Sequence, residues 1–330
     1  MEHKHQNLLS SCAQMDFGRI PLTRTERAFY KRFNAEILSL CRSLPNSVQT
    51  DALLFLMRYS GVNLGQELDF FSNYYPPAWS ILYWLSHEDT FAKRLKARDM
   101  TSAVTAQSMA MFLHSLDDHL TDNQISVSPL TLLLRSQAWT IMNQAFCNLS
   151  EDLPGGTRKL RRLVDDYYAG ILDSEGLTSL DSYCHRFRKQ MALGMVAPIL
   201  LSMKVAGRSD FTNDLQIAYG SFGISWRLLD DIRDIGNDMK RGSPSAIYLC
   251  LPKKIRAHWN TPGATNRTGA GNSTKPILNH ILECGLIERI KDIICTELET
   301  AASIVEKYEL RGFARELRYL VLPLRSSSRP

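Results

Sequence analysis

Two clusters of carboxylates carry the chemistry of this sequence. The first, FLHSLDDHLTD, contributes Asp117, Asp118 and Asp122; the second, WRLLDDIRDIGNDMKRG, contributes Asp230, Asp231, Asp234 and Asp238. Each follows apolar, helix-periodic sequence, an odd context for a residue of poor helix propensity that is rarely buried without a partner. Helical spacing sorts the side chains. Asp118 and Asp122 stand four apart, one turn above each other, while Asp230, Asp234 and Asp238 fall at i, i+4 and i+8 and form a single stripe. Like charges stacked this way repel and destabilise an isolated helix. They are tolerated in solvent, or useful when a cation sits between them. One cluster alone reads as a solvated helix face. Two clusters about 110 residues apart, both on apolar helices, favour the cation. Oxygen ligands without His or Cys suit magnesium, which takes few protein carboxylates and completes its octahedron with water and phosphate oxygens. Two such stripes facing each other would hold several magnesium ions around a diphosphate. Neither cluster has the loop glycine and terminal Glu of a calcium EF-hand.

The elements that must position these clusters are helices. Apolar residues recur at three- and four-residue spacing over 25–44, 48–59, 100–120, 130–149, 157–172, 180–205, 212–239, 275–308 and 313–320, while alternating β-branched runs are nearly absent. The fold class is therefore all-α, a helical bundle. Residues 261–275, TPGATNRTGAGNSTK, have no apolar anchor and read as a surface loop, or as a lid over a ligand. No repeat or composition break divides the chain, so 1–330 is expected to be one domain, with 1–24 as an N-terminal extension and 325–330 as a frayed tail. The 39 basic and 34 acidic residues leave a net charge of +5 without a basic block, which gives nucleic-acid binding little support. Seven scattered cysteines without a CxxC pair suggest free thiols in a reducing compartment. The N-terminus lacks the apolar core of a signal peptide, and the longest apolar stretch, 195–203, is too short to span a bilayer. A cytoplasmic protein is expected.

At these residues the sequence resembles the class I isoprenoid synthases: prenyl-chain elongating enzymes, squalene and phytoene synthases, and class I terpene cyclases. The resemblance covers about residues 71–319, and its motifs are specific as a pair. DDIRDIGNDMKRG, with Tyr248 beyond it and Tyr183-Cys184 before it, is similar to the second motif of the squalene and phytoene synthases. The same stretch is similar to the metal triad of the cyclases, with Asp230, Asp234 and Asp238 where those enzymes have Asn, Ser or Thr, and Glu. Arg318-Tyr319, about eighty residues later, resembles the Arg-Tyr pair by which bacterial cyclases hold diphosphate. Arg186 and Arg188 lie near the place of the cyclases' diphosphate-sensing arginine, and Gly194 near their helix break. Chain-elongating enzymes carry an Arg-Arg-Gly shortly after the first motif. Here NQISVSP follows Asp122, and the next basic residue is Arg135.

The resemblance implies a magnesium enzyme, with three ions, that ionises a linear prenyl diphosphate of farnesyl, geranylgeranyl or greater length and releases pyrophosphate. Asp117, Asp118 and Asp122 would bind metal from one wall, and Asp230, Asp231, Asp234 and Asp238 from the other. Arg186 or Arg188, Lys240, Arg318 and Tyr319 would grip phosphate oxygens, a task suited to the planar guanidinium fork. The carbocation left behind needs a dry pocket with aromatic faces. Trp79, Tyr83, Phe112, Phe222 and Trp226 are the candidates, each of which could equally be core packing. His114 and His119, five apart, do not suggest a metal pair. Cyclisation of a single prenyl diphosphate is the first expectation. Prenyl transfer to a second substrate is the alternative, and a non-catalytic subunit that keeps the pocket is a third, against which the intact carboxylates speak. A homodimer stays open.

Overall fold

The computed structural model describes residues 2–62, 65–121, 123–173, 176–206, 209–259 and 274–326, and among them there are helices but no strand. In chain order the first half comprises α1 (Glu2–Ala13), α2 (Arg24–Arg42), α3 (Asn46–Tyr59), α4 (Pro77–His87), α5 (Asp89–Ala92), α6 (Ala97–Thr121), α7 (Pro129–Ser150) and α8 (Gly156–Leu172). Then come α9 (Leu180–Gln190), α10 (Ala192–Ala206), α11 (Ser209–Arg233), α12 (Ile235–Arg241), α13 (Ala246–Cys250) and α14 (Lys253–Arg256). The chain closes with α15 (Lys275–Glu283), α16 (Leu286–Glu306), α17 (Arg311–Leu320) and α18 (Leu322–Ser326). Asp122 and residues 261–273, most of the expected loop or lid, lie outside the described residues.

Local chemistry explains several starts. Thr23 and Glu26 form a reciprocal capping box at α2. Ser128 does the same with Thr131 at α7, where Pro129 occupies the first turn. Three helices that the periodicity runs on without a break are interrupted. The stretch 180–205 breaks at Met191, 212–239 at Asp234, and 275–308 at Gly285, whose φ of 58° is left-handed and suits glycine. The break at Asp234 is mild: its N–H still bonds the Asp230 carbonyl at 2.9 Å, and the Asp238 N–H bonds the Asp234 carbonyl at 2.9 Å.

Six of the helices among the described residues lie outside the periodic stretches, and α1 and α4 are the longest of them. α4, PAWSILYWLSH, is buried on nearly every side, so it shows no single apolar stripe. α1 falls inside the expected N-terminal extension, yet it packs on α11, α12 and α15, with His5 Nε2 2.7 Å from Asn279 Oδ1 and Cys12 buried. The tail expected to fray from 325 is helical through Ser326, with Arg325 3.7 Å from Glu299.

One contiguous apolar core runs through the bundle, with α10 at its centre. α10 packs against α4, α6, α7, α8 and α11, so the two helices bearing acidic clusters flank the same buried element. α17 is tied to α4 by buried Glu316, which accepts hydrogen bonds from Ser80 Oγ and, at 3.0 Å, from Trp84 Nε1. Gly312 lies so close against the Trp84 ring that a Cβ there would overlap the ring carbons. No helix among the described residues is long and apolar enough to cross a membrane. All seven cysteines are free.

Candidate active site

α6 and α11 meet at a cavity of about 380 Å³ whose walls include Asp118 and Asp230. The cavity also takes His114, Ser115 and His119 from α6, Phe187 and Gln190 from α9, Met191 at the break, and Trp226, Arg227 and Arg233 from α11. Arg19, Asn73, Tyr74 and Tyr75 close it from the segments before α2 and α4. Behind it lies an inner chamber of about 30 Å³, mostly apolar, which shares Tyr74, His114, Gln190, Met191 and Trp226 with the outer cavity. The break at Met191 lets Gln190 and Met191 face both chambers while Leu193 and Gly194 line the inner one.

Three arginines stand against the two carboxylates at the outer cavity. Arg227 is the most constrained. Its Nε donates to Tyr183 Oη at 2.6 Å and lies 3.2 Å from Asp231 Oδ1, while Nη1 lies 3.7 Å from Asp230 Oδ2. The guanidinium sits 5.7 Å from the Phe187 ring centre and 5.8 Å from that of Tyr183, a cation–π geometry on both. Arg19 lies 5.4 Å from the Tyr75 ring centre, and Arg233 Nη1 donates to Tyr75 Oη at 3.5 Å.

Burial, with Asp234 and Asp231 nearby, pushes the Asp230 carboxyl up to about 6 against the opposing effect of Arg227. Burial and then the field of Asp231 push Asp238 up to about 7, with Asp234 and Asp230 adding to the rise. The second cluster thus resists carrying its full negative charge without a counter-cation. Burial holds His114 below its ordinary range, against the pull of Asp118.

The expected ligands divide. Asp118 and Asp230 line the cavity. Asp234 is exposed and Asp238 half-buried beside the bend, and neither lines the cavity itself. Asp117 and Asp231, also expected to bind metal, do not line the cavity and accept hydrogen bonds from protein donors. Arg135 grips Asp117 through Nε at 2.6 Å and Nη2 at 3.0 Å. Buried Asp231 accepts from Tyr183 Oη at 3.0 Å and from the Ala246 N–H at 2.7 Å, besides facing Arg227.

The residues expected to grip phosphate lie outside the cavity lining. Arg186 pairs with Asp173 at 3.1 Å and Arg188 with Glu297 at 3.2 Å, and neither lines the cavity, although Arg186 stands one turn before Gln190 on α9. Arg318 bonds Glu299 at 2.9 Å and Glu306 at 2.6 Å on α16, Tyr319 packs by Gly18, and exposed Lys240 does not line the cavity. Of the aromatics, Trp226 lines both chambers, with Tyr74 and Tyr75 edge-on to it at 5.2 and 5.6 Å. Phe222 packs behind Trp226; Trp79 and Tyr83 cluster with Phe29 in the core; Phe112 is buried away from the cavity lining. Arg227 and Arg233 could have been found from sequence, since they stand three residues to either side of Asp230 on its face. Arg19 and Tyr75 carry no such local signal.

Among the described residues no three His, Cys, Asp or Glu side chains converge as a ready metal cage. The donor set still fits magnesium. It offers one carboxylate per wall, and a bridging phosphate and water would supply the remaining oxygens.

No family model matches the sequence, and a search of curated proteins finds no relative. Solved structures do match. A geranylgeranyl pyrophosphate synthetase from the archaeon Geoglobus acetivorans is 15% identical with a TM-score of 0.60 over 94% of this chain and 98% of its own. A decaprenyl diphosphate synthase from Rhodobacter capsulatus is 13% identical, TM-score 0.61, over 99% and 100%. A geranylgeranyl pyrophosphate synthase from Corynebacterium glutamicum, complexed with isoprenyl diphosphate and magnesium, is 14% identical, TM-score 0.58, over 91% and 99%.

Proposed function

We propose that this chain, which has the all-α isoprenoid synthase fold, ionises an allylic prenyl diphosphate with magnesium and transfers the prenyl group to a second substrate. The observation that carries the reading is the meeting of Asp118 and Asp230 from two helices in one cavity beside Arg19, Arg227 and Arg233. Asp118 and Asp230 would hold magnesium from opposite walls, with Asp234 and Asp238 continuing the second stripe. When bound, the metal neutralises charge developing on the departing diphosphate.

The chain's own residues do the rest. Arg227, fixed by Tyr183 and Asp231, presents a pre-oriented cation to the leaving oxygens, so little reorganisation is needed as the bond breaks. Arg19 and Arg233 add two more donors at the rim, which supports binding of an anionic acceptor as well as the donor. Tyr74, Tyr75, Phe187 and Trp226 offer ring faces to the carbocation and limit the approach of bulk water. The neighbours in fold, named as prenyl diphosphate synthases, favour transfer over cyclisation.

Cyclisation remains as a second reading on one observation. Arg135, the first basic residue after the first acidic cluster, is committed to Asp117 and leaves no acceptor grip there. Incubating the protein and magnesium with farnesyl or geranylgeranyl diphosphate, alone and with isopentenyl diphosphate, separates the two. A longer prenyl diphosphate formed only from the pair supports transfer, and a cyclic product from one diphosphate replaces it with cyclisation. Failure to release pyrophosphate under any of these conditions would end both readings.

A further inference from the structure

The inner chamber contains a polar atom that the proposed chemistry does not use. Gln107 of α6 lines it and is 1% exposed, and its Oε1 has no hydrogen-bond partner among the described residues. The orientation of the amide is fixed. Its Nε2 donates to the Ala78 carbonyl at 2.7 Å and to Tyr219 Oη at 3.3 Å, and Tyr219 in turn donates to the same carbonyl at 3.1 Å. Turning the amide over would set Oε1 against the Ala78 oxygen, two acceptors with no proton between them. Leaving a buried acceptor unsatisfied costs about 1–3 kcal/mol. A single O–H donor in the chamber would remove that penalty.

The size of the chamber selects the donor. The chamber's volume of about 30 Å³ exceeds the roughly 10–15 Å³ that one water needs and is far too small for a prenyl chain, and Tyr219 Oη offers a second polar neighbour. We propose that Gln107 Oε1 holds one water in the inner chamber and that this water captures the carbocation when no acceptor does, giving a prenyl alcohol. The proposal rests on the function read above. The two chambers share Tyr74, His114 and Trp226, so the water lies where the inner chamber adjoins the cavity that holds the cation. The carbon–oxygen bond to the diphosphate breaks with both electrons leaving on oxygen. A lone pair of the water forms the new carbon–oxygen bond, and the surplus proton passes to the released diphosphate, which is basic enough to hold it near neutral pH.

The test incubates the full chain and magnesium with farnesyl diphosphate in oxygen-18 water. Wild type should give alcohol carrying the label, since water attacks carbon; unlabelled alcohol would mean cleavage at phosphorus and would overturn capture. Gln107→Met should lower the alcohol's share of product about tenfold, the effect of losing one hydrogen bond to the nucleophile, with pyrophosphate release unchanged. If that variant does not fold, Gln107→Asn, which withdraws the carbonyl by one methylene, serves the same comparison. Pyrophosphate release with an unchanged alcohol share, or release only when isopentenyl diphosphate is also present, overturns capture alone, whereas no release from farnesyl diphosphate either alone or with isopentenyl diphosphate overturns the functional reading and capture with it. A crystal structure of the unliganded protein should show a water within hydrogen-bond distance of Gln107 Oε1, and a dry chamber there overturns the site whatever the activity.

Discussion

Replacing Asp230 by asparagine should stabilise the fold while abolishing turnover. The carboxyl rises from the ordinary 3.8 to about 6 in the folded protein, chiefly through burial. A group raised in this way contributes stability that is complete below about pH 3.8 and is lost as the pH rises through 6. At about 1.4 kcal/mol for each tenfold change in proton affinity, the full gap corresponds to roughly 3 kcal/mol at pH 8. The side chain is 45% exposed, so solvent screening reduces that to about 1–1.5 kcal/mol. The amide of the Asp230→Asn variant carries no charge to bury, and the variant should exceed wild type by that margin at pH 8 and by about half of it at pH 5. Urea unfolding at the two pH values measures the difference. Turnover should move the other way, falling about a hundredfold or more once a charge facing the metal is gone. Magnesium with pyrophosphate should raise the unfolding midpoint of wild type more than that of the variant. A variant no more stable than wild type at pH 8 would show that Asp230 is an ordinary surface charge and would refute the reasoning.

Asp118→Ala should cut pyrophosphate release by about a hundredfold or more while leaving the unfolding midpoint nearly unchanged, and chelator should do the same to wild type. Arg227→Gln should weaken pyrophosphate binding by about tenfold or more in calorimetry, whereas Arg318→Ala, which breaks only the links to Glu299 and Glu306, should leave it unchanged. Burial raises Glu316 to about 7, so wild type should lose up to about 3 kcal/mol as the pH climbs from 4.5 through 7, and Glu316→Gln should flatten that slope. Gly312→Ala drives a methyl into the Trp84 ring and should destabilise the protein by at least about 2 kcal/mol in thermal or urea unfolding.

Much of the fold was legible because most helices are amphipathic, and their apolar spacing marks them without any knowledge of partners. What periodicity could not show was α4, apolar all round, and the breaks at Met191 and Asp234, which depend on how neighbouring helices pack. In the site, Asp118 and Asp230 followed from composition and helical face. The expected cations lie away from the cavity for a physical reason. Arg186, Arg188 and Arg318 lie near where a motif would place them, but each is paired with a carboxylate and none lines the cavity. Arg19 reaches the rim from a loop about a hundred residues away from the first cluster, and no local pattern encodes that approach.

The two aspartate doublets bear on how this sequence should be aligned with others. Neighbours on a helix point about 100° apart, so a doublet can send only one member to a given face. In the first doublet the second member, Asp118, reaches the cavity and Asp117 is tied to Arg135; in the second the order reverses, with Asp230 at the cavity and Asp231 tied to Arg227 and Tyr183. A pattern search that scores each pair as a unit counts twice as many carboxylates as the cavity receives. A register slip of one residue would align the cavity-facing carboxylate with the one locked to an arginine, in a column that still reads Asp against Asp.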